Sequence, residues 1–129
     1  MGNMITEDYV SFESANFLRA KGFEGDISAY YHIWDNGKIV CSVQEFSHSE
    51  ARHLYIPAPT IQITMKWLRE VHHIFIDITS RFSKNADNDI CFSYSCKKLT
   101  DKYEIVDGEW LCYEEACEAA IKYCLENLI

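Results

Sequence analysis

The chain has 129 residues and a formal charge of −8, with 48% apolar and 14% aromatic residues. That length suits one domain, able to bury about two-thirds of the surface its unfolded form exposes, and the apolar content excludes intrinsic disorder. No apolar run approaches the ~20 residues of a membrane span, and the mildly basic middle of the chain (Lys66, Arg69, Arg81, Lys84, Lys97, Lys98) is too ordinary to make nucleic acid the expected partner.

The opening Met1–Thr6 lacks the basic and apolar regions of a secretory signal. Gly2 and Thr6 fit the short myristoylation spacing, but an alternative start at Met4 is the simpler reading. A cytoplasmic chain is therefore expected. Ser11 is suited to cap a helix over Phe12–Lys21, with Gly22 at the left-handed position beyond its end and Phe23 folding back on the last turn. Ala15 and Leu18 face inward in that helix, and Phe17 lies off the stripe.

Ile27 to Trp34 is strand-like, and Asn36-Gly37 before the alternating Ile39, Cys41 and Val43 predicts a hairpin with both turn residues at positive φ. Ser47 to Arg52 is polar and looped, and its His48 and His53, with Glu50, read as solvated residues rather than metal ligands. Tyr55 to Pro59 is extended, because each proline turns its predecessor away from helix. Thr60 caps a second helix over Ile61–His72. Its polar face (Gln62, Lys66, Arg69, Glu70) is narrow, and its apolar arc (Ile61, Ile63, Met65, Trp67, Leu68, Val71) is broader than one sheet contact requires.

Ile74, Ile76 and Ile78 alternate with Phe75, Asp77 and Thr79, predicting a strand. A polar turn leads to another through Ile90, Phe92 and Tyr94, and Tyr103–Val106 adds a further strand ended by Asp107-Gly108. The last helix spans Tyr113–Asn127, with Cys117, Ala120, Ile121, Cys124 and Leu128 inward, and Glu115, Glu118, Lys122 and Glu126 outward. The order α-β-β-α-β-β-(β)-α predicts a single α+β domain over residues 1–129, an antiparallel sheet of four or five strands covered by three helices.

Two of these segments resemble known sequence. Met65-Lys66-Trp67-Leu68-Arg69-Glu70-Val71-His72 with Ile74-Phe75-Ile76, and Tyr113 through Leu128, resemble a family of small uncharacterised proteins from gut bacteria, often carried on phage-like or mobile elements; Ser11 to Phe23 is similar to that family's opening helix more loosely. The resemblance implies a bacterial, cytoplasmic setting and supplies no catalytic residue.

Six cysteines without a signal segment read as reduced core thiols. Their spacing lacks the close pairs of a zinc knuckle, so no metal site is expected. Phosphate loop, nucleophile elbow and His-Glu-X-X-His are all absent from the sequence, so neither a catalytic set nor a cofactor is expected. Two readings of function remain. The favoured one is a non-enzymatic interaction or accessory module, binding a protein partner or a second copy of itself, with Trp67, Ile63 and Phe17 as interface candidates. The alternative is a ligand-binding domain or small enzyme with an aromatic-lined site between sheet and second helix, for which His72, Asp77, Cys112 and Tyr94 are the pocket candidates. In that reading His72 serves as base to a Cys112 thiolate favoured at a helix N-terminus.

Overall fold

The computed structural model describes residues 5–25, 27, 29–34, 36–42, 53–83, 89–100 and 103–129. The segment expected to be looped, with His48 and Glu50, lies outside them. The fold is α+β, with three helices and antiparallel sheets, in the order α1 (Phe12–Ala20), β1 (Tyr30–Trp34), β2 (Ile39–Ser42), β3 (His53–Pro57), α2 (Ile61–His72), β4 (Ile74–Phe82), β5 (Ile90–Lys98), β6 (Tyr103–Trp110) and α3 (Tyr113–Asn127). The described strands form two three-stranded sheets, β2-β1-β3 and β4-β5-β6, rather than one sheet of four or five. The segment before Pro57 supplies the additional strand β3, pairing Tyr31 with Ile56 and His32 with Tyr55.

Local chemistry sets most element ends. Ser11 and Thr60 cap α1 and α2 by accepting from the amides of Ser14 and Ile63. Gly22, at φ 77°, closes α1: its amide bonds the Arg19 carbonyl and the Phe23 amide bonds that of Leu18, the paired bonds of a Schellman ending. Among the described residues of the β1–β2 turn Gly37 takes positive φ (84°), and Asn36 is not among those that do. The Gly37 amide bonds the Trp34 carbonyl, and the Trp34 amide bonds that of Lys38. The loop is thus one residue longer than a two-residue turn, which relieves Asn36 of the left-handed conformation.

Helix α3 lies at the centre. It packs on β5, β4 and β6, and also on α1 and α2. Cys117, Ala120, Ile121, Cys124 and Leu128 are buried as the periodicity predicts, but so are Ala116 and Leu125, because the flanking helices cover the sides of α3. Leu18, Leu68, Ile74, Ile121 and Leu125 are fully buried in one core, each stabilising the fold by about 1.5–3 kcal/mol. α3 has no basic residue in its last turn. Lys98 of β5 supplies the charge instead, donating from Nζ to the Leu128 carbonyl at 2.7 Å.

The outer face expected for α3 is corrected by α1. Glu118 is not paired with Lys122; it turns under the start of α1, where Oε1 accepts from the Ser11 amide (3.1 Å) and the Ser14 hydroxyl (2.6 Å). Lys122 instead meets Glu13 of α1 at 3.0 Å. Glu118→Ala strands a buried hydroxyl and a helix-terminal amide, and is expected to lower unfolding free energy by about 2 kcal/mol. Glu118→Gln, which keeps an acceptor oxygen, should lose less; urea denaturation of both variants checks this.

Candidate functional site

The residues expected to form a site are placed by the helices that carry them, and they do not converge. α2 and α3 bring their N-termini together, where Thr6, Glu7, Asp8, Ile61, Gln62, Tyr113 and Glu114 line a cleft of about 150 Å³. Cys112 sits at that end, donating its thiol hydrogen to Glu114 Oε2 at 3.1 Å. His72 is at the opposite end of α2, about 16 Å away along the helix axis at 1.5 Å per residue. The base–nucleophile pairing of His72 with Cys112 is therefore not formed, and a thiolate at Cys112 would face a carboxylate.

Asp77 and Tyr94 lie on opposite faces of the second sheet. Asp77 pairs across the strands with Ser95 and reaches Lys97 at 3.5 Å on the exposed face. Tyr94, opposite Ile78, is buried beneath α3 against Trp110 and Tyr123, with ring centroids at 5.3 and 6.4 Å. The other aromatics of the expected pocket are also divided. Tyr31 donates to the Val10 carbonyl at 2.6 Å, and Tyr30 meets Tyr55 edge-on at 5.6 Å. The boundary between the second sheet and α2 is filled by Thr64, Leu68 and Ile74, all fully buried.

His72 packs edge-on against Trp67 at 4.6 Å, and its Nε2 is buried with no hydrogen-bond partner among the described residues. Burial, then the charges of Lys98, His73 and Lys21, hold its pKa below the usual range. The folded protein therefore keeps His72 neutral longer than the unfolded chain does. As pH falls through about 6.5 the unfolded chain takes up the proton first, so stability declines towards acid until the folded-state pKa is passed. His72→Gln is expected to flatten that part of the stability curve, read as urea midpoints between about pH 5 and 7.5.

The interface candidates shift as well. Trp67 is only 7% exposed, held within the monomer between Phe23 (5.4 Å) and His72. Ile63 is half-buried at the rim of a 280 Å³ cleft shared with Glu24, Lys66, Glu70 and Val71. Phe17 is half-buried too; with Phe12, Glu13, Asn16 and Ala20 it lines a 440 Å³ opening along α1. Phe23, from the end of α1, reaches Trp67 of α2. The apolar arc of α2 is thus covered in part by its own chain: Ile61, Trp67 and Leu68 are buried, Ile63 and Met65 half-buried, and Val71 is exposed.

Among the described residues no three His, Cys, Asp or Glu side chains are grouped to hold a metal ion. Cys91, Cys96, Cys117 and Cys124 are buried, and the Cys124 thiol donates to Cys96 Sγ at 3.5 Å. That bond, then burial, pushes the Cys124 thiol up; burial likewise raises Cys117 to about 11. Cys41 and Cys112 are the thiols open to solvent. Titration with an aromatic disulfide should therefore find two fast-reacting thiols in the native protein and all six after unfolding.

The surface that sequence reasoning missed is the outer face of the β4-β5-β6 sheet. Helix α3 packs on the other face, which carries Ile74, Ile78, Tyr94 and Cys96. Phe75 (39% exposed), Asp77, Thr79 and Arg81 of β4, Lys97 of β5, and Glu104 and Val106 (64% exposed) of β6 line it. The β4–β5 hairpin also runs past the core: Thr79 to Phe82 are all exposed, and Phe82, at 77%, pairs with exposed Ile90. The signal was present in the sequence as apolar residues on both faces of β4.

No protein-family model, curated protein or solved structure matches the chain. Among the described residues no helix is long and apolar enough to cross a membrane.

Proposed function

We propose that this chain is a non-enzymatic interaction module that binds protein through the outer face and projecting hairpin of its second sheet. The observation that carries this reading is the open sheet itself: Phe75 and Val106 are exposed on its outer face, and Phe82 and Ile90, opposite each other, are exposed at the hairpin end on the other face; a paired exposed Phe and Ile of this kind marks an association surface. The dispersal of His72, Asp77, Cys112 and Tyr94 supports it against the alternative of a small enzyme. The resemblance of α2 and α3 to small bacterial proteins of mobile elements favours an accessory role in the cytoplasm.

Photo-crosslinking tests the proposal. A benzophenone amino acid replaces Phe82 or Val106, with Glu126 on the exposed side of α3 as control, in cells that naturally carry the protein. Covalent protein adducts are expected from both sheet positions and not from the control. No adduct at either sheet position overturns the reading.

A further inference from the structure

The sheet ends in an edge whose chemistry specifies what pairs with it. β4 is nine residues long, contains no proline, and keeps an unbroken register with β5 from Ile74↔Lys98 to Phe82↔Ile90. Natural edges are usually short, bulged or interrupted. In this protein β2 has four residues, β3 ends in Pro57, and β6 is paired through a register shift at Phe92/Tyr94. β4 alone among these is long, regular and free of proline; its only guards are two charges, Asp77 and Arg81.

The direction of its backbone groups follows from the bonds that bracket the hairpin. The Leu99 amide donates to the His73 carbonyl (3.1 Å), and the Ser83 amide donates to the Asp89 carbonyl (2.8 Å). Odd-numbered residues of this segment therefore exchange bonds with β5. In an antiparallel ladder the alternate residues point the other way, so Ile74, Ile76, Ile78, Ser80 and Phe82 direct their amides and carbonyls to the open edge. No described strand pairs there.

We propose that the occupant of this edge is β4 of a second copy of the chain, paired antiparallel about a two-fold axis at Thr79. The inference rests on the interaction reading above and names the partner of the projecting hairpin; the outer face with Phe75 and Val106 stays open in it. Charge selects the register. With Thr79 opposite the partner's Thr79, Asp77 lies opposite the partner's Arg81, and the same contact repeats across the axis. Centring on Ile78 sets Asp77 against a threonine, and centring on Ser80 sets it against a serine; neither makes an ion pair. A shift by one residue mismatches the two faces altogether.

The Thr79 register satisfies the other groups too. Ile76, Ile78, Ser80 and Phe82 meet Phe82, Ser80, Ile78 and Ile76 of the partner as hydrogen-bonded pairs, using the amides and carbonyls that face the edge. Asp77, Thr79 and Arg81 fall in the non-hydrogen-bonded positions, where side chains approach most closely. Phe82, the most exposed aromatic ring among the described residues, is laid beside the partner's half-buried Ile76. The product is one six-stranded antiparallel sheet with the helices of both copies on the same side.

Analytical ultracentrifugation of the full chain tests this at concentrations up to the order of 100 μM, since a single strand pair is at the weak end of interface sizes. The weight-average mass is expected to rise from 15.0 kDa towards twice that value. Ser80→Pro removes an amide that bonds nothing among the described residues, so it should abolish association and leave thermal unfolding nearly unchanged. Asp77→Lys and Arg81→Glu each place like charges together twice, and should weaken dimerisation about tenfold. An equimolar mixture of the two variants restores both ion pairs and should restore the dimer. Thr79→Cys, with Cys41 and Cys112 replaced by serine, should crosslink under oxidised glutathione, because paired Cα atoms at such a position lie within disulfide reach. Ser95→Cys on the central strand should not. A wild-type chain that stays monomeric throughout, or a variant mixture that fails to rescue, overturns the dimer. Photo-crosslinks from Phe82 to a different protein would also overturn it, while leaving the interaction reading intact.

Discussion

Trp67→Ala is expected to lower the free energy of unfolding by about 3–5 kcal/mol, the cost typical of deleting a buried indole. The ring is 7% exposed and held edge-on by Phe23 and His72. Its loss removes the ring contact between Phe23 at the end of α1 and α2, and leaves a cavity in the core. Trp67→Phe, which keeps an aromatic wall against Phe23, should recover part of the loss. The measurement is urea denaturation followed by circular dichroism, read with ultracentrifugation of the same sample. A core role lowers the denaturation midpoint of the monomer. An interface role would change the association state and spare the midpoint, and that result would return Trp67 to the surface.

This residue marks where sequence reasoning stopped. The breadth of the apolar arc on α2 is legible because side-chain direction repeats every 3.6 residues, and it leaves two outcomes open: cover on two sides, or apolar surface offered elsewhere. It cannot say whether the second contact belongs to the same chain. Phe23 supplies it, from a position set by the Gly22 ending of α1. Glu118 teaches the same point in reverse. Its spacing from Lys122 suits a solvent-facing pair, but α1 docks over that side of α3 and takes the carboxylate for its own N-terminus. The ranges of α2 and α3 were readable because both are fixed by local chemistry: a Thr60 cap and a His72–His73 ending for one, a run of small and acidic residues for the other. The division of six strands between two sheets depends on pairings between distant residues, such as His32 with Tyr55, and nothing local encodes them. The candidate site fared likewise. His72 and Cys112 each sit at a helix end as expected, but which ends meet is decided by how α2 lies on α3.

Gly108→Ala carries the other large expected effect. Asp107-Gly108 reads as the end of a strand, but β6 continues through it to Trp110, and the register shift opposite Phe92/Tyr94 falls here. Gly108 adopts φ 88°, a conformation that costs an L-residue about 1–2 kcal/mol. It makes a bulge of the kind that lets a strand turn one side chain and then resume. The side chain so turned is Trp110. A methyl group at residue 108 would occupy the space of the six-membered ring of Trp110, so the indole must leave its place against Tyr94. Together the strain and the lost aromatic contact should lower stability by about 3 kcal/mol. Trp110→Ala should make the Gly108→Ala substitution much cheaper, since it removes the ring that the methyl displaces. A double-mutant cycle by denaturation therefore separates the two terms: strong coupling is expected, and additivity would mean that backbone strain alone accounts for the loss. The bulge also bears on the open sheet. It interrupts β6 as a pairing edge while β4 stays straight, so Gly108→Ala should weaken the fold without creating a second site of association.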